Sequence, residues 1–241
     1  ANSIGIRYRS LRVLSNSAIT DGLIKITDYP FDTFKVSRFK EATAKRSLTK
    51  EDIRRIMDCE VRTLTKYPKP FLQLAKDLFL FSYLSCGINL PVILPFRYAS
   101  LVFGLLVFHR HKTGKLLSFQ LQPAALDILD KYRQPNAHPQ DYVFPVLRRS
   151  VHITAQQQYG RVQRTNKRIN RYLKLIGEHL HLPITLTTYV ARHSFATVLK
   201  RSGVSTSIIS ESLGHSSEKI TQIYLDSFEN SQIDAAMQNL L

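Results

Sequence analysis

The chain has 241 residues, 44% hydrophobic and 22% charged, enough for one large domain, or one domain plus a fragment of another, with an ordinary packed core. Lys and Arg number 34 against 18 Asp and Glu, and the resulting net charge of +16 runs from Arg7 to Lys219 instead of sitting in a tail, which points to a folded domain that meets a polyanion, nucleic acid first. No apolar run reaches membrane length, no signal peptide opens the chain, and no amphipathic segment sets a clustered Lys/Arg face beside Phe and Leu, so a membrane partner is disfavoured.

Residues 3–24 read as one basic amphipathic helix with a rough apolar stripe at Ile4, Leu11, Leu14 and Ala18. Alone it has no core to join, so it reads as the last helix of a mostly absent domain (1–27). The TDYPFDT stretch then breaks it. Pro30, Phe31 and Phe34 suggest a linker (28–46) that enters a short extended segment, with the domain boundary near 27–35. The main domain is expected over 47–241. The first residue is Ala, as in a cut or processed chain.

A helix should start at Ser47 or Thr49, with Asp52 completing a near capping box. A very apolar helix follows through KPFLQLAKDLFLFSYLSCG, closed by Gly87 as C′ residue. Pro91 and Pro95 punctuate a further short helix. Residues 101–122 alternate as a β-hairpin with Thr113-Gly114 at its tip. A helix opens at Pro123, a long basic helix spans 155–180, and a helix with a Thr cap runs over 187–202 and ends before Gly203. Short helices are expected over 205–213, closed by Gly214, over 217–228, and at SQIDAAMQNLL. The fold class is mainly α with a small antiparallel β-sheet or hairpin.

Several side chains in this pattern could carry chemistry. On the 187–202 helix, Ala191, Phe195 and Val198 form the expected core stripe, while Tyr189 and Arg192 share another face. Read alone, Arg192 is a solvated or salt-bridged arginine. His215 and Tyr224 lie nine residues apart, about 180° around one continuous helix. Gly214 and Ser216-Ser217 break the helix, so two short helices can bring both to one cleft. Read alone, they are a capping histidine and a core tyrosine. In the hairpin, Phe108, Arg110 and Lys112 project to one face and Val107, His109 and His111 to the other. Arg110, Lys112 and Lys115 suit phosphate contact or plain solvation. His109-x-His111 lacks a third metal ligand at sensible spacing, and Cys59 and Cys86 give neither a zinc pattern nor a disulfide framework, reading instead as buried thiols of a reducing compartment.

The set says more than its members. A phenol can attack phosphorus if cations neutralise the phosphate oxygens and an acid protonates the leaving alcohol. Arg clamps phosphate bidentately, Lys supplies a proton, and His can donate to a non-bridging oxygen. No metal and no other cofactor is needed.

YVARHSFAT, then LGHSS, then ITQIY resemble the tyrosine recombinase (phage integrase) family, in the order Arg192, His215, Tyr224 with the family's nine-residue gap. HRHKTGK is similar to the family's lysine-bearing β-hairpin, which implies Lys112. The resemblance covers roughly residues 45–228, the family's catalytic domain of the DNA breaking–rejoining fold. The leading helix resembles the tail of its core-binding DNA domain.

Two departures stand out. The family's first catalytic arginine is replaced by Asn89, with Val92 at the associated acidic position, and the histidine three residues before the second arginine is Tyr189. Such replacements resemble integrases of conjugative transposons and related mobile elements. Asn89 cannot neutralise a phosphate, so Arg110 is the expected substitute, with Arg97 behind it.

The resemblance implies a metal-independent enzyme that cuts and rejoins double-stranded DNA attachment sites through a 3′-phosphotyrosine on Tyr224. Lys112 would be the acid and Arg192, His215 and a second cation would hold the transition state. Expected backbone contacts are Lys115, Arg161, Arg164, Lys167 and Arg168. The protein would act as a homotetramer on DNA, a monomer without it, in a bacterial cytoplasm, with SQIDAAMQNLL exchanged between neighbours or packed on its own domain. The rival readings are a catalytically weakened DNA-binding relative and a tyrosine-based topoisomerase.

Overall fold

The structure, a computed structural model, describes residues 2–39, 46–67, 69–109, 114–222 and 225. Arg110, His111, Lys112, Tyr224 and the segment SQIDAAMQNLL lie outside the described residues. The chain divides into two compact units, Ala1–Ala44 and Lys45–Leu241.

In the first unit, helix α1 covers Asn2–Thr20, and Gly22 at φ +70 turns the chain shortly after its end, so the helix is shorter than the expected 3–24. Its anticipated stripe does not form a core within this unit: Ile4, Leu11 and Leu14 are exposed. Nor is the following segment extended. It forms turns and two 3₁₀ helices, Ile26–Asp28 and Val36–Phe39. Tyr8 stacks on Phe39 at 5.2 Å and meets Phe34 at 4.7 Å, with Arg38 over both phenylalanines. The aromatics read as linker residues therefore pack back on α1, because burying flat apolar rings outweighs leaving them in water.

The second unit begins with α2 (Lys50–Asp58). Thr49 is its N-cap and forms a complete capping box with Asp52. Helix α3 (Pro70–Leu84) is the central helix, buried at most positions from Leu72 to Ser82 and packed against α5 (Pro123–Asp130), α6 (Ala155–His179) and α7 (Thr188–Arg201). An all-round apolar sequence needs that all-round cover. Its two buried charges are matched. Lys76 Nζ donates to the carbonyls of Met57 and Cys59 at 2.6 and 2.7 Å, while Asp77 accepts from Gln73, Lys131 and Tyr132. Removing a donor from the fully buried Asp77 would leave part of its charge without a hydrogen-bond partner.

Helix α4 is the single turn Leu90–Ile93. The expected hairpin is instead a three-stranded antiparallel sheet, β1 (Leu101–Val102), β2 (Leu105–His109) and β3 (Leu116–Gln120), in the order β1-β2-β3. Phe103 at φ +49 and Gly104 at φ +79 make the extra turn, so the run read as one strand folds back on itself. Leu106 and Phe108 face the core, as the alternation requires. Helices α8 (Thr206–Ser212) and α9 (Glu218–Gln222) complete the described unit. A small second cluster of Ala196, Ile209, Leu213 and Leu225 holds α7, α8 and the segment after α9 together.

Candidate active site

The site is built where the ends of two helices meet the side of a third. Helix α7 begins at Thr188, but Thr187 makes no side-chain cap; the Thr188 N–H is taken by Asn170 Oδ1 at 2.8 Å, so α6 supplies the cap. The core face of α7 is Val190, Ala191, Ser194, Ala196 and Thr197, with Phe195 and Val198 only half-buried, which rotates the expected stripe. That rotation brings Arg192 inside, at 4% exposure. It is therefore not the solvated arginine that its sequence neighbours suggest.

A buried guanidinium needs acceptors, and Arg192 has them. Nη1 donates to the Gly87 carbonyl at 2.9 Å, and Nη2 donates to the Leu213 carbonyl at 2.8 Å and to His215 Nε2 at 2.9 Å. Gly87 and Leu213 follow the C-termini of α3 and α8, where the peptide dipoles leave partial negative charge that favours a cation.

Both helix ends are shaped for this. Helix α3 closes with Cys86, not Gly87, as the left-handed C′ residue (φ +54), and the Gly87 N–H bonds to the Ser82 carbonyl at 2.9 Å. Gly87 itself has φ +63, and a Cβ there would lie 3.0 Å from Arg192 Cα. Helix α8 ends in a Schellman motif: Gly214 (φ +64) donates to the Glu211 carbonyl at 2.8 Å and His215 to the Ser210 carbonyl at 3.0 Å. The glycine stop thus fixes the residue after it as well as ending the helix.

His215 is buried, at 8% exposure, between Arg192 and Thr221, whose Oγ1 lies 2.8 Å from His215 Nδ1. Guanidinium nitrogens only donate, so Nε2 is the acceptor, and the donor inventory assigns the ring proton to Nδ1, which donates to Thr221. In this structure Nε2 therefore accepts from Arg192.

A narrow cleft opens beside the guanidinium, lined by Cys86, Asn89, Val92, Phe108, Leu117 and Arg192. Asn89 thus brings a neutral amide to the cleft beside Arg192. Burial pushes the Cys86 thiol up to about 11, with Arg192 partly opposing the shift. Tyr189 is exposed and sits edge-on to His193 at 4.7 Å. Arg97 is committed elsewhere: its Nη1 donates to Gln140 Oε1 at 2.8 Å and the guanidinium covers Tyr142.

The basic residues expected to meet a phosphate backbone divide. Arg164, Lys167 and Arg168 are all exposed on α6. Arg161 Nε donates to the Val146 carbonyl at 3.1 Å, and Arg168 stacks over Phe71 at 3.9 Å. Lys115 lies 3.5 Å from Glu211, an exposed pair worth about 0–1 kcal/mol.

Sequence reasoning missed Thr221, Asn170 and the two carbonyls. A backbone oxygen has no sequence signature, and a lone Thr on a five-residue helix carries none either.

A mainly helical unit with a small antiparallel sheet thus carries a buried Arg–His pair at its helix ends. The sequence model of the phage integrase family matches residues 94–231, more than half the chain, and the chain belongs to that family. A curated tyrosine recombinase of Agathobacter rectalis (strain ATCC 33656 / DSM 3377 / JCM 17463 / KCTC 5835 / VPI 0990) is 44% identical over 62 residues, which are 26% of this chain. The match spans about a fifth of that relative's length, 19%.

Among solved structures, the Tn1549 transposon integrase in complex with transposon right end DNA shares the fold with a TM-score of 0.65 at 17% identity, covering 96% of this chain and 77% of that one. The same integrase with circular intermediate DNA gives 0.62 at 19% identity, over 98% and 78%. A lambda integrase dimer bound to a COC′ core site gives 0.55 at 17%, over 92% and 74%.

Proposed function

We propose that this chain is the catalytic part of a DNA recombinase that cuts and rejoins DNA for integration and excision of a mobile element. The observation that carries the reading is the buried Arg192 guanidinium, held by two helix-end carbonyls and His215 in the order and spacing that lead to Tyr224. The likeness to the Tn1549 integrase, solved on transposon DNA, supports the mobile-element role.

The reaction would run as follows. The phenol oxygen of Tyr224 attacks a DNA phosphorus and loses its proton. The P–O5′ bond breaks, leaving a 3′-phosphotyrosine, and Lys112 delivers a proton to the departing 5′-oxygen. Arg192 neutralises the charge building on the phosphate oxygens, and Arg110 replaces the cation absent at Asn89. A 5′-hydroxyl from a partner strand reverses the step, so no external energy source is required. The DNA contacts fall to Arg164 and Lys167 first, with Lys115, Arg161 and Arg168 behind them, in a homotetramer on two sites. Residues 1–27 would be the last helix of a core-binding DNA domain, with 28–46 linking it to the catalytic unit.

A second reading has one observation in its favour. Asn89 lines the Arg192 cleft as a neutral group, as expected of a relative that binds DNA but has lost cleavage. A nicked suicide substrate decides between them. The wild-type chain should accumulate a covalent DNA adduct that Tyr224→Phe abolishes while binding is kept. An adduct of normal yield from Tyr224→Phe removes the mechanism, and binding without any wild-type adduct establishes the second reading.

A further inference from the structure

We propose that Thr221 is a positioning residue for the site, the group that receives the Nδ1 proton of His215 and so holds the ring with its bare Nε2 toward Arg192. The role rests on the recombinase reading only for its effect on rate; the proton assignment stands on geometry. Thr221 is fully buried, at 0% exposure, on α9, three residues before Tyr224 in the sequence. Its Oγ1 is 2.8 Å from His215 Nδ1, and His215 Nε2 is 2.9 Å from Arg192 Nη2.

Only one proton arrangement satisfies both contacts. Arg192 has no acceptor to offer, so a proton on Nε2 would set two donors face to face at 2.9 Å. An imidazolium would repeat that clash and add a second positive charge. Neutral His215 with Nδ1–H and a bare Nε2 is what remains, and Thr221 is the group that receives Nδ1–H.

Without that hydroxyl, the buried Nδ1–H would lose the Thr221 acceptor, which weakens the hold on the orientation that keeps Nε2 against Arg192. Thr221 thus closes a chain of contacts, Thr221–His215–Arg192–Gly87, that ties α9 to the end of α8, to α7 and to the turn after α3. The Thr221 hydroxyl adds a polar tie between α9 and Arg192 to the apolar packing of Ala196, Ile209, Leu213 and Leu225.

The test uses the whole chain labelled with ¹⁵N-histidine, with His215→Ala to assign the signal. The wild-type ring should show a pyrrole-type Nδ1 and a pyridine-type Nε2. Thr221→Val, nearly isosteric but without the oxygen, should shift the population toward Nε2–H or the imidazolium. Thr221→Ser, which keeps the oxygen, should preserve the wild-type pattern. Adduct formation on the suicide substrate should fall about tenfold in Thr221→Val, the size of one lost hydrogen bond, and recover to within about threefold in Thr221→Ser.

A wild-type ring protonated at Nε2 overturns the proposal without any variant being made. So does a Thr221→Val ring with the wild-type pattern, or a Thr221→Ser that behaves as Thr221→Val. Absence of adduct from the wild-type chain would count against the recombinase reading and leave the tautomer measurement to decide on Thr221.

Discussion

Gly87 and Arg192 are 105 residues apart in the chain, yet the Gly87 carbonyl accepts from Arg192 Nη1 at 2.9 Å and a Cβ on Gly87 would lie 3.0 Å from Arg192 Cα. The turn after α3 and the second turn of α7 are built against each other. Gly87→Ala meets two costs, a side chain at φ +63 and a methyl pressed on the α7 backbone. We expect a loss of about 2–3 kcal/mol in urea denaturation. Adduct yield should fall further than the unfolded fraction explains, because Arg192 must shift.

Under the proposed mechanism the neutral Asn89 calls for a substitute cation, and Arg110 and Arg97 are the two candidates. Arg97→Ala should leave adduct formation within about threefold of wild type, since its guanidinium serves Gln140 and Tyr142 on the exterior. Arg110→Ala should slow the reaction about a hundredfold with binding nearly intact, and Asn89→Arg in that background should recover part of the loss. Wild-type rates in Arg110→Ala would end the compensation idea.

On α6, a split between binding and stability is expected. Arg164→Ala and Lys167→Ala should each weaken DNA binding regardless of sequence and lower the slope of log affinity against log salt by about one. Arg168→Ala should instead cost about 0.5–1 kcal/mol of stability through its lost stacking on Phe71. Gel-shift titrations at several salt concentrations, beside denaturation curves, separate the two.

The Cys86 thiol, pushed up to about 11 by burial, should be nearly all protonated at pH 8. Iodoacetamide should then modify it about a hundredfold more slowly in the folded chain than in the denatured one. The sign for stability follows: the folded value is above the unfolded one, so the contribution is full below about pH 8.5 and is lost as the pH rises toward 11. Equal alkylation rates in folded and denatured protein would contradict the raised value of this thiol, which is half-buried where the sequence suggested full burial.

Local signals carried much of the reading. The Thr49–Asp52 capping box, the Pro123 helix start, the long basic helix and the glycine stop before His215 are written in short-range chemistry, because caps and turns depend on neighbours within a few residues. The motifs around Arg192 and His215 likewise named the family that the comparison with known sequences bears out.

Long-range packing decided the rest. Whether Arg192 faces solvent or the interior depends on which face of α7 meets α3, a matter of a few tens of degrees that the mixed sequence YVARHSFATVLK does not settle. The aromatic run at 29–39 could pair as strand or pack on α1, and only the ring contacts choose. Two acceptors of Arg192 are backbone oxygens from helix ends 105 and 21 residues away, and a second contact of His215 is to a threonine on another helix. Groups without a distinctive side chain acquire their chemistry only when the fold brings them together, so the charge of this site could be read from the sequence and its proton arrangement could not.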